Sequence, residues 1–370
     1  MLDRHTCVQF AKPLARGFVA DATRRPANAS RLSPAHWRSG GRSRPVAEQT
    51  PFRFGVQSFA ASSAREWAER ARSVEDLGYS VLSLADHYIG PGPAQEATSH
   101  PPQELAAVPA MAAAASATRS LRIACRVFCA DYHHPIVLAK EAATLDLLSE
   151  GRLEIGLGAG WLEGEYDAIG IPFERPGLRI AKLAEAVTIL KQHMSDQPIE
   201  FDGKHFRVHG FDGRPKPVQK PHPPIMIGGG APRILSLAGR EADIVSFNFN
   251  NRSGVIGPDG VQTSTAELTL EKVGWVKKAA GERFGELELE IGAYFTFVTD
   301  QSQAVSDGIG AAFGLTGEEM RAHPHALFGT VDTICDELVR RRELYGISYV
   351  TVNDIHMLDF APVVAKLAGQ

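Results

Sequence analysis

The chain has 370 residues, of which 44% are hydrophobic, 22% charged and 8% aromatic, and 39 Lys and Arg against 43 Asp and Glu leave a net charge of −4. That length suffices for one large barrel or two to three domains with a self-sufficient core, and the near-neutral balance excludes a broad basic field for nucleic acid or an anionic membrane. No apolar run approaches the ~18 residues of a membrane span, and the scattered Cys7, Cys125, Cys129 and Cys335 form neither a disulfide framework nor a zinc site, so a reducing cytoplasm is expected.

Residues 1–50 stand apart. They hold eight arginines against three acids, among Pro, Ser, Ala and Gly, with no sustained period. Such a stretch buries too little apolar surface to offset its ordering entropy, so a disordered Arg-rich extension is expected. A transit peptide or a start assigned too far upstream are the other readings. A secretory signal would need an apolar central run that is missing.

From Pro51 to Gln370 one domain is expected, with strand and helix alternating. Phe52–Phe59 reads as a strand, and Ala64–Leu77 as a helix with Trp67, Ala71, Val74 and Leu77 on one face, stopped by Gly78. Tyr79–Leu84 is the second strand, closing on Asp86-His87. A Pro/Gly-rich loop to Pro102 precedes a helix over Gln103–Thr118. The spacing then predicts a strand over Leu121–Phe128, a helix over His134–Leu148, a glycine-rich strand over Arg152–Gly160 and a long helix over Gly177–Met194. Ile199–Val208, folded at Asp202-Gly203, is a hairpin signal. Ile225–Ile227 is a short buried strand, followed by Gly228-Gly229-Gly230 and a helix over Arg233–Glu241. Ile244–Phe249 is a strand, Leu268–Phe284 a helix and Leu287–Val298 a strand. Residues 302–324 read as poorly phased helix, Thr330–Tyr345 as an amphipathic helix, Ile347–Val352 as the eighth core strand and Phe360–Leu367 as the last helix.

Eight strands, each followed by a helix, predict an α/β fold, a (β/α)8 TIM barrel with insertions. A doubly wound open sheet is the rival, and the first strand lacks its dinucleotide fingerprint. In a barrel the chemistry sits where strands end. Asp86 beside His87 is a carboxylate that can fix an imidazole tautomer for proton transfer; the alternative is a loop cap and a solvated ring. Gly156-Leu-Gly-Ala-Gly160 lacks P-loop and Rossmann spacing, and admits either close approach of a flat ring or tight barrel packing. Gly228-Gly229-Gly230 before a helix opened by Pro232, with Arg233 nearby, suits an anion. The pairs His133/His134, His205/His209 and His323/His325 have no third ligand at metal spacing and read as solvated surface residues; Cys125 and Cys129 read as small core or pocket residues. No Gly-x-Ser-x-Gly elbow is present, and no acidic pair occupies two strand exits as a glycosidase would need.

Six segments in this order resemble the luciferase-like monooxygenase superfamily, most closely its branch of coenzyme F-420-dependent oxidoreductases. They are Phe54-Gly55-Val56-Gln57; Glu75–Tyr79 into Ala85-Asp86-His87; His134–Lys140 running to Asp146; Gly151–Leu153 with Gly158–Trp161 and Glu165-Tyr166; Pro223–Gly230; and Ala238–Asp243. The resemblance implies a bacterial luciferase-like barrel that holds a deazaflavin or flavin at its C-terminal mouth and exchanges hydride with a small organic substrate. It implies that Asp86 binds the ring system and that His87 is the catalytic proton-transfer residue. It further implies a non-proline cis peptide at Cys125-Arg126, or at Ala124-Cys125, backing the ring, with Gly160, Tyr166, Gly229 and Gly230 toward the phosphate tail and Gln57 and Trp161 in the substrate pocket. Trp161 replaces the acidic residue of the sugar-phosphate dehydrogenases, which speaks for a hydrophobic or planar substrate. FMN, with oxygen and a partner flavin reductase, is the alternative cofactor, and an inert barrel acting as a binding protein is a third reading. Relatives often dimerise; neither a membrane nor a nucleic-acid partner is implied.

Overall fold

In the computed structural model, residues 50–370 are described, and the disordered extension expected over residues 1–50 lies outside them but for its last residue. Eight parallel strands close in the order β1-β12-β9-β8-β7-β4-β3-β2. They are β1 (Arg53–Ser58), β2 (Val81–Leu84), β3 (Arg122–Cys129), β4 (Leu153–Gly158), β7 (Ile225–Gly229), β8 (Ile244–Phe247), β9 (Glu288–Ala293) and β12 (Ile347–Asn353). This is the expected TIM barrel. β5 (Ile199–Asp202) and β6 (Arg207–Phe211) form the hairpin read from the sequence, outside the barrel.

Local chemistry explains the outer ring. The Ala64–Asp76 helix begins where Ser63 accepts the Glu66 N–H, buries Trp67, Ala71 and Val74 at helical spacing, and ends before Gly78 at φ +82°. Glu75 accepts the backbone N–H groups of Arg119, Ser120 and Leu121, which ties this helix to the entry of β3. The Val331–Tyr345 helix is likewise capped by Thr330 and stopped by Gly346 at φ +78°.

Two expectations are corrected, and the helical reading of residues 302–324 is resolved into two elements. Leu287–Val298 is two strands, because the chain leaves the barrel at Tyr294; β10 (Phe295–Val298) pairs in parallel with β11 (Ala326–Gly329) in a separate two-stranded sheet. The stretch 302–324 holds two helices, Ser302–Ala312 and Gly317–Ala322, the second opened by a Thr316–Glu319 capping box. Short helices occupy Pro93–Thr98, in a segment read as loop, and Glu163–Ile169, where the sequence pattern marks no element; one or two turns carry too little periodicity to register.

The barrel interior is ionic as well as apolar. Near its entry end Arg53 bridges Glu154 (2.6 Å) and Glu288 (2.5 Å), and Arg122 also holds Glu154 (2.7 Å). Nearer the exits Arg126 pairs with Glu290 at 2.8 Å, both fully enclosed. These pairs plug the barrel beneath its mouth, so any ligand must sit above them.

Candidate functional site

Since every barrel strand is parallel, all eight exits share one rim. Asp86-His87 after β2 and Gly229-Gly230 at β7 therefore lie on the same face, separated by β3 and β4.

The pairing expected at the exit of β2 is corrected. Asp86 does not hold His87; its Oδ2 accepts from His133 Nε2 at 2.8 Å and from the Cys129 N–H at 3.0 Å. His87 Nδ1 instead lies 2.8 Å from Glu165 Oε2. Successive side chains leaving a strand point to opposite sides, so neighbours in sequence serve different partners. Glu165, 1% exposed, also accepts the Tyr132 hydroxyl at 2.9 Å and the Tyr88 N–H. The His87 ring lies 4.0 Å from that of His100 and 6.0 Å from that of Trp161. His100 donates through Nδ1 to the Pro101 carbonyl at 2.7 Å, and burial, reinforced by His87, drops its pKa well below the ordinary range.

β3 carries the bulge. Its register against β4 slips between Cys125 and Phe128, and the cis peptide joins Arg126 and Val127, not Cys125 and Arg126 or Ala124 and Cys125 as expected. The slip extends through Phe128, which puts the irregular bond one residue further along the strand. A Cβ at Gly156 would stand 2.0 Å from the Cys125 carbonyl oxygen, and one at Gly158 2.7 Å from Val127 Cγ2. The glycines of β4 thus make room for the bulge, which is the packing reading of that motif. Gly228 on β7 also faces Val127, at 3.3 Å. Val127 is half-buried although it lies within the barrel strands, so the floor of the mouth is one isopropyl group among three glycines.

The remaining residues fall around this floor. Cys125 is fully buried and burial raises its thiol pKa well above the ordinary value. Arg126 points into the barrel: Nη1 donates to Gln57 Oε1 (3.0 Å) and to the Tyr294 hydroxyl (3.3 Å), which itself donates to Asn248 Oδ1 (3.2 Å). Burial opposes its charge, but Glu290 and Tyr294 raise its pKa overall. Gly160, at φ +71°, abuts Tyr166, whose hydroxyl is taken up by Cys129 (3.0 Å) and Asp131 (3.2 Å). Trp161 is half-buried beside the two imidazoles. Ile234 packs where a Gly229 Cβ would be, and the backbone of Asn248 and Phe249 where a Gly230 Cβ would be. The Pro232–Glu241 helix has no side-chain cap, leaving its first N–H groups free for an acceptor, while Arg233 is exposed and reaches toward Gly177.

Two further groups escaped the sequence reading. His323 and His325 are 1% exposed, not solvated: His323 donates through Nε2 to the Val261 carbonyl and His325 through Nδ1 to the Gly292 carbonyl, and burial lowers the pKa of His323 to about 4. Lys272, 2% exposed, joins the Asn248 carbonyl (2.7 Å) to Ser264 Oγ (2.5 Å), clamping both ends of the loop after β8. Of the expected surface histidines, His133 is also taken inward, by Asp86. Among the described residues no cluster of His, Cys, Asp and Glu could hold a metal, and no helix is long and apolar enough to cross a membrane.

A family model described as luciferase-like monooxygenase matches residues 46–257. The FMNH(2)-dependent dimethylsulfone monooxygenase of Pseudomonas putida is 32% identical over 121 residues, only 33% of this chain and 33% of that enzyme. The F-420-dependent glucose-6-phosphate dehydrogenase of Kineococcus radiotolerans is 27% identical over 271 residues, 72% of this chain and 74% of its own. Among solved structures, the coenzyme F-420-dependent tetrahydromethanopterin reductase of Methanopyrus kandleri superposes with a TM-score of 0.68 at 18% identity, covering 86% of this chain and 99% of that one; the fold is shared.

Proposed function

The chain belongs to the luciferase-like monooxygenase family, a family of oxidoreductases, and we propose that within it this protein binds coenzyme F-420 and exchanges hydride between that cofactor and an uncharged organic substrate. The observation that carries the reading is the floor of the mouth, where Val127 lies among Gly156, Gly158 and Gly228 and no longer side chain of β4 or β7 rises to obstruct a flat ring. The longer match to an F-420-dependent enzyme supports the deazaflavin over FMN.

When bound, F-420 supplies a ring carbon that takes or gives hydride. The chain's own residues do the rest. Val127 and the adjoining glycines support the ring face. Gly229-Gly230 and the open N-terminus of the Pro232–Glu241 helix receive the phosphate of the tail. Asp86 fixes the approach of β3 through the Cys129 N–H. Tyr166 and Gly160 shape the wall toward the tail, with Cys125 and Arg126 beneath the floor. His87 relays the proton that accompanies hydride, and Gln57 and Trp161 border the substrate. The rings of His87, His100 and Trp161 favour a substrate with a hydrophobic or planar body over a sugar phosphate.

Titrating the protein with F-420 and with FMN, each followed by fluorescence, tests the assignment. Micromolar binding of F-420 with FMN weaker by about tenfold or more is the expected result; the reverse order overturns it. The match to an FMNH(2)-dependent enzyme favours a second reading, an FMN-dependent monooxygenase served by a flavin reductase, for which oxygen uptake with reduced FMN is the signature. Retention of neither cofactor would leave a binding protein.

A further inference from the structure

The His87–Glu165 contact links residues 78 positions apart and decides which ring nitrogen of His87 is free. Glu165 has Tyr88 N–H, a donor only, on Oε1, and His87 Nδ1 and the Tyr132 hydroxyl on Oε2. A carboxylate only accepts, so His87 must carry its hydrogen on Nδ1. Its Nε2 makes no hydrogen bond among the described residues and is not sealed from solvent. His100, its ring centroid 4.0 Å away and tilted by 48°, is bonded in the same sense: Nδ1–H donates to the Pro101 carbonyl and Nε2 is unengaged. Two neighbouring imidazoles therefore each keep an Nε2 lone pair that no hydrogen bond of the described residues takes up.

We propose that Glu165 is a positioning residue that locks His87 in the Nδ1–H tautomer, so that together with His100 the wall after β2 accepts hydrogen bonds and takes substrates bearing a polar hydrogen, such as a hydroxyl or an amine. On proton transfer the substrate's O–H or N–H bond breaks, its electron pair stays on the substrate, an Nε2–H bond forms, and the new positive charge faces the Glu165 carboxylate through Nδ1. A phosphate or carboxylate finds only lone pairs on this wall and is repelled. The proposal rests on the reading that His87 carries the proton, but it concerns the protein without cofactor.

Long-range 15N–1H spectra of the cofactor-free protein, with the His87 signals assigned by their loss in His87→Asn, test it independently of whether F-420 binds. The expected result is Nδ1–H in the wild type, and a population shifted to Nε2–H in Glu165→Gln, whose amide N–H can donate to Nδ1. Tyr132→Phe, which removes a neighbour of Glu165 but not the His87 contact, keeps Nδ1–H. Wild type with Nε2–H, or Glu165→Gln with an unchanged tautomer, overturns the proposal; the wild-type spectrum alone decides should Glu165→Gln fail to fold. In the loaded enzyme Glu165→Gln lowers kcat by about tenfold or more while F-420 affinity stays within about twofold. Equal loss in kcat and cofactor affinity would instead mark a merely structural role.

Discussion

At the scale of single residues, the mouth separates proton chemistry from support. His87 has an unengaged Nε2 beside Trp161, so His87→Ala should lower turnover on the order of 100-fold with F-420 affinity little changed; single-turnover kinetics and fluorescence titration measure the two. Wild-type-like turnover would remove His87 from the reaction. Gly160 is the converse case. Its φ of +71° and the 1.8 Å from an ideal Cβ to the Tyr166 hydroxyl oxygen leave no room for a methyl group. Gly160→Ala should destabilise by about 1–3 kcal/mol from backbone strain, before any displacement of Tyr166 is counted, and urea denaturation reads the loss.

At the scale of elements, the loop after β8 is tied down by one buried ammonium. Lys272 joins Asn248 to Ser264, and the partners its Nζ hydrogen-bonds are a carbonyl and a hydroxyl, not a carboxylate. Burial drops its pKa to about 7, against ~10.4 when unfolded. Between those values the unfolded chain binds more protons, so this group makes stability rise with pH from about 7 to ~10. The cost of burying the charge is felt in full below pH 7, where both states are protonated. Lys272→Met abolishes that slope, so the stability difference between wild type and Lys272→Met should grow in favour of wild type across this window. A flat difference in urea midpoints over the same range would contradict it.

For the whole molecule, the closed barrel encloses ions that its strands cannot expel. Arg126 and Glu290 are 3% and 0% exposed in their side chains, from strands that do not neighbour each other in the sheet. Removing one charge strands the other, and Glu290→Ala should cost on the order of 3–5 kcal/mol, seen as a lower denaturation midpoint. Since Arg126 also holds Gln57 and Tyr294 at the floor of the mouth, the same substitution should weaken ligand binding above it. Unchanged stability would show that water reaches the pair.

Residue order alone determined the alternation of strand and helix, the hairpin at Asp202-Gly203, the glycine stop at Gly78, and the rim on which Asp86, His87 and Gly229-Gly230 lie. These follow from local periodicity, turn chemistry and the parallel closure such a pattern imposes. Tertiary structure decided the partners. Asp86 and His87 are adjacent in sequence, yet the strand pleat sends one to His133 and the other to Glu165. His323 and His325 look like any polar pair until β10 and β11 pair beyond the barrel and enclose them. The bulge sits at Arg126-Val127 because β4 has glycines opposite it, a cross-strand fit that no single strand encodes. Hydrogen bonds between side chains 78 residues apart depend on how the barrel closes, and closure belongs to the chain as a whole.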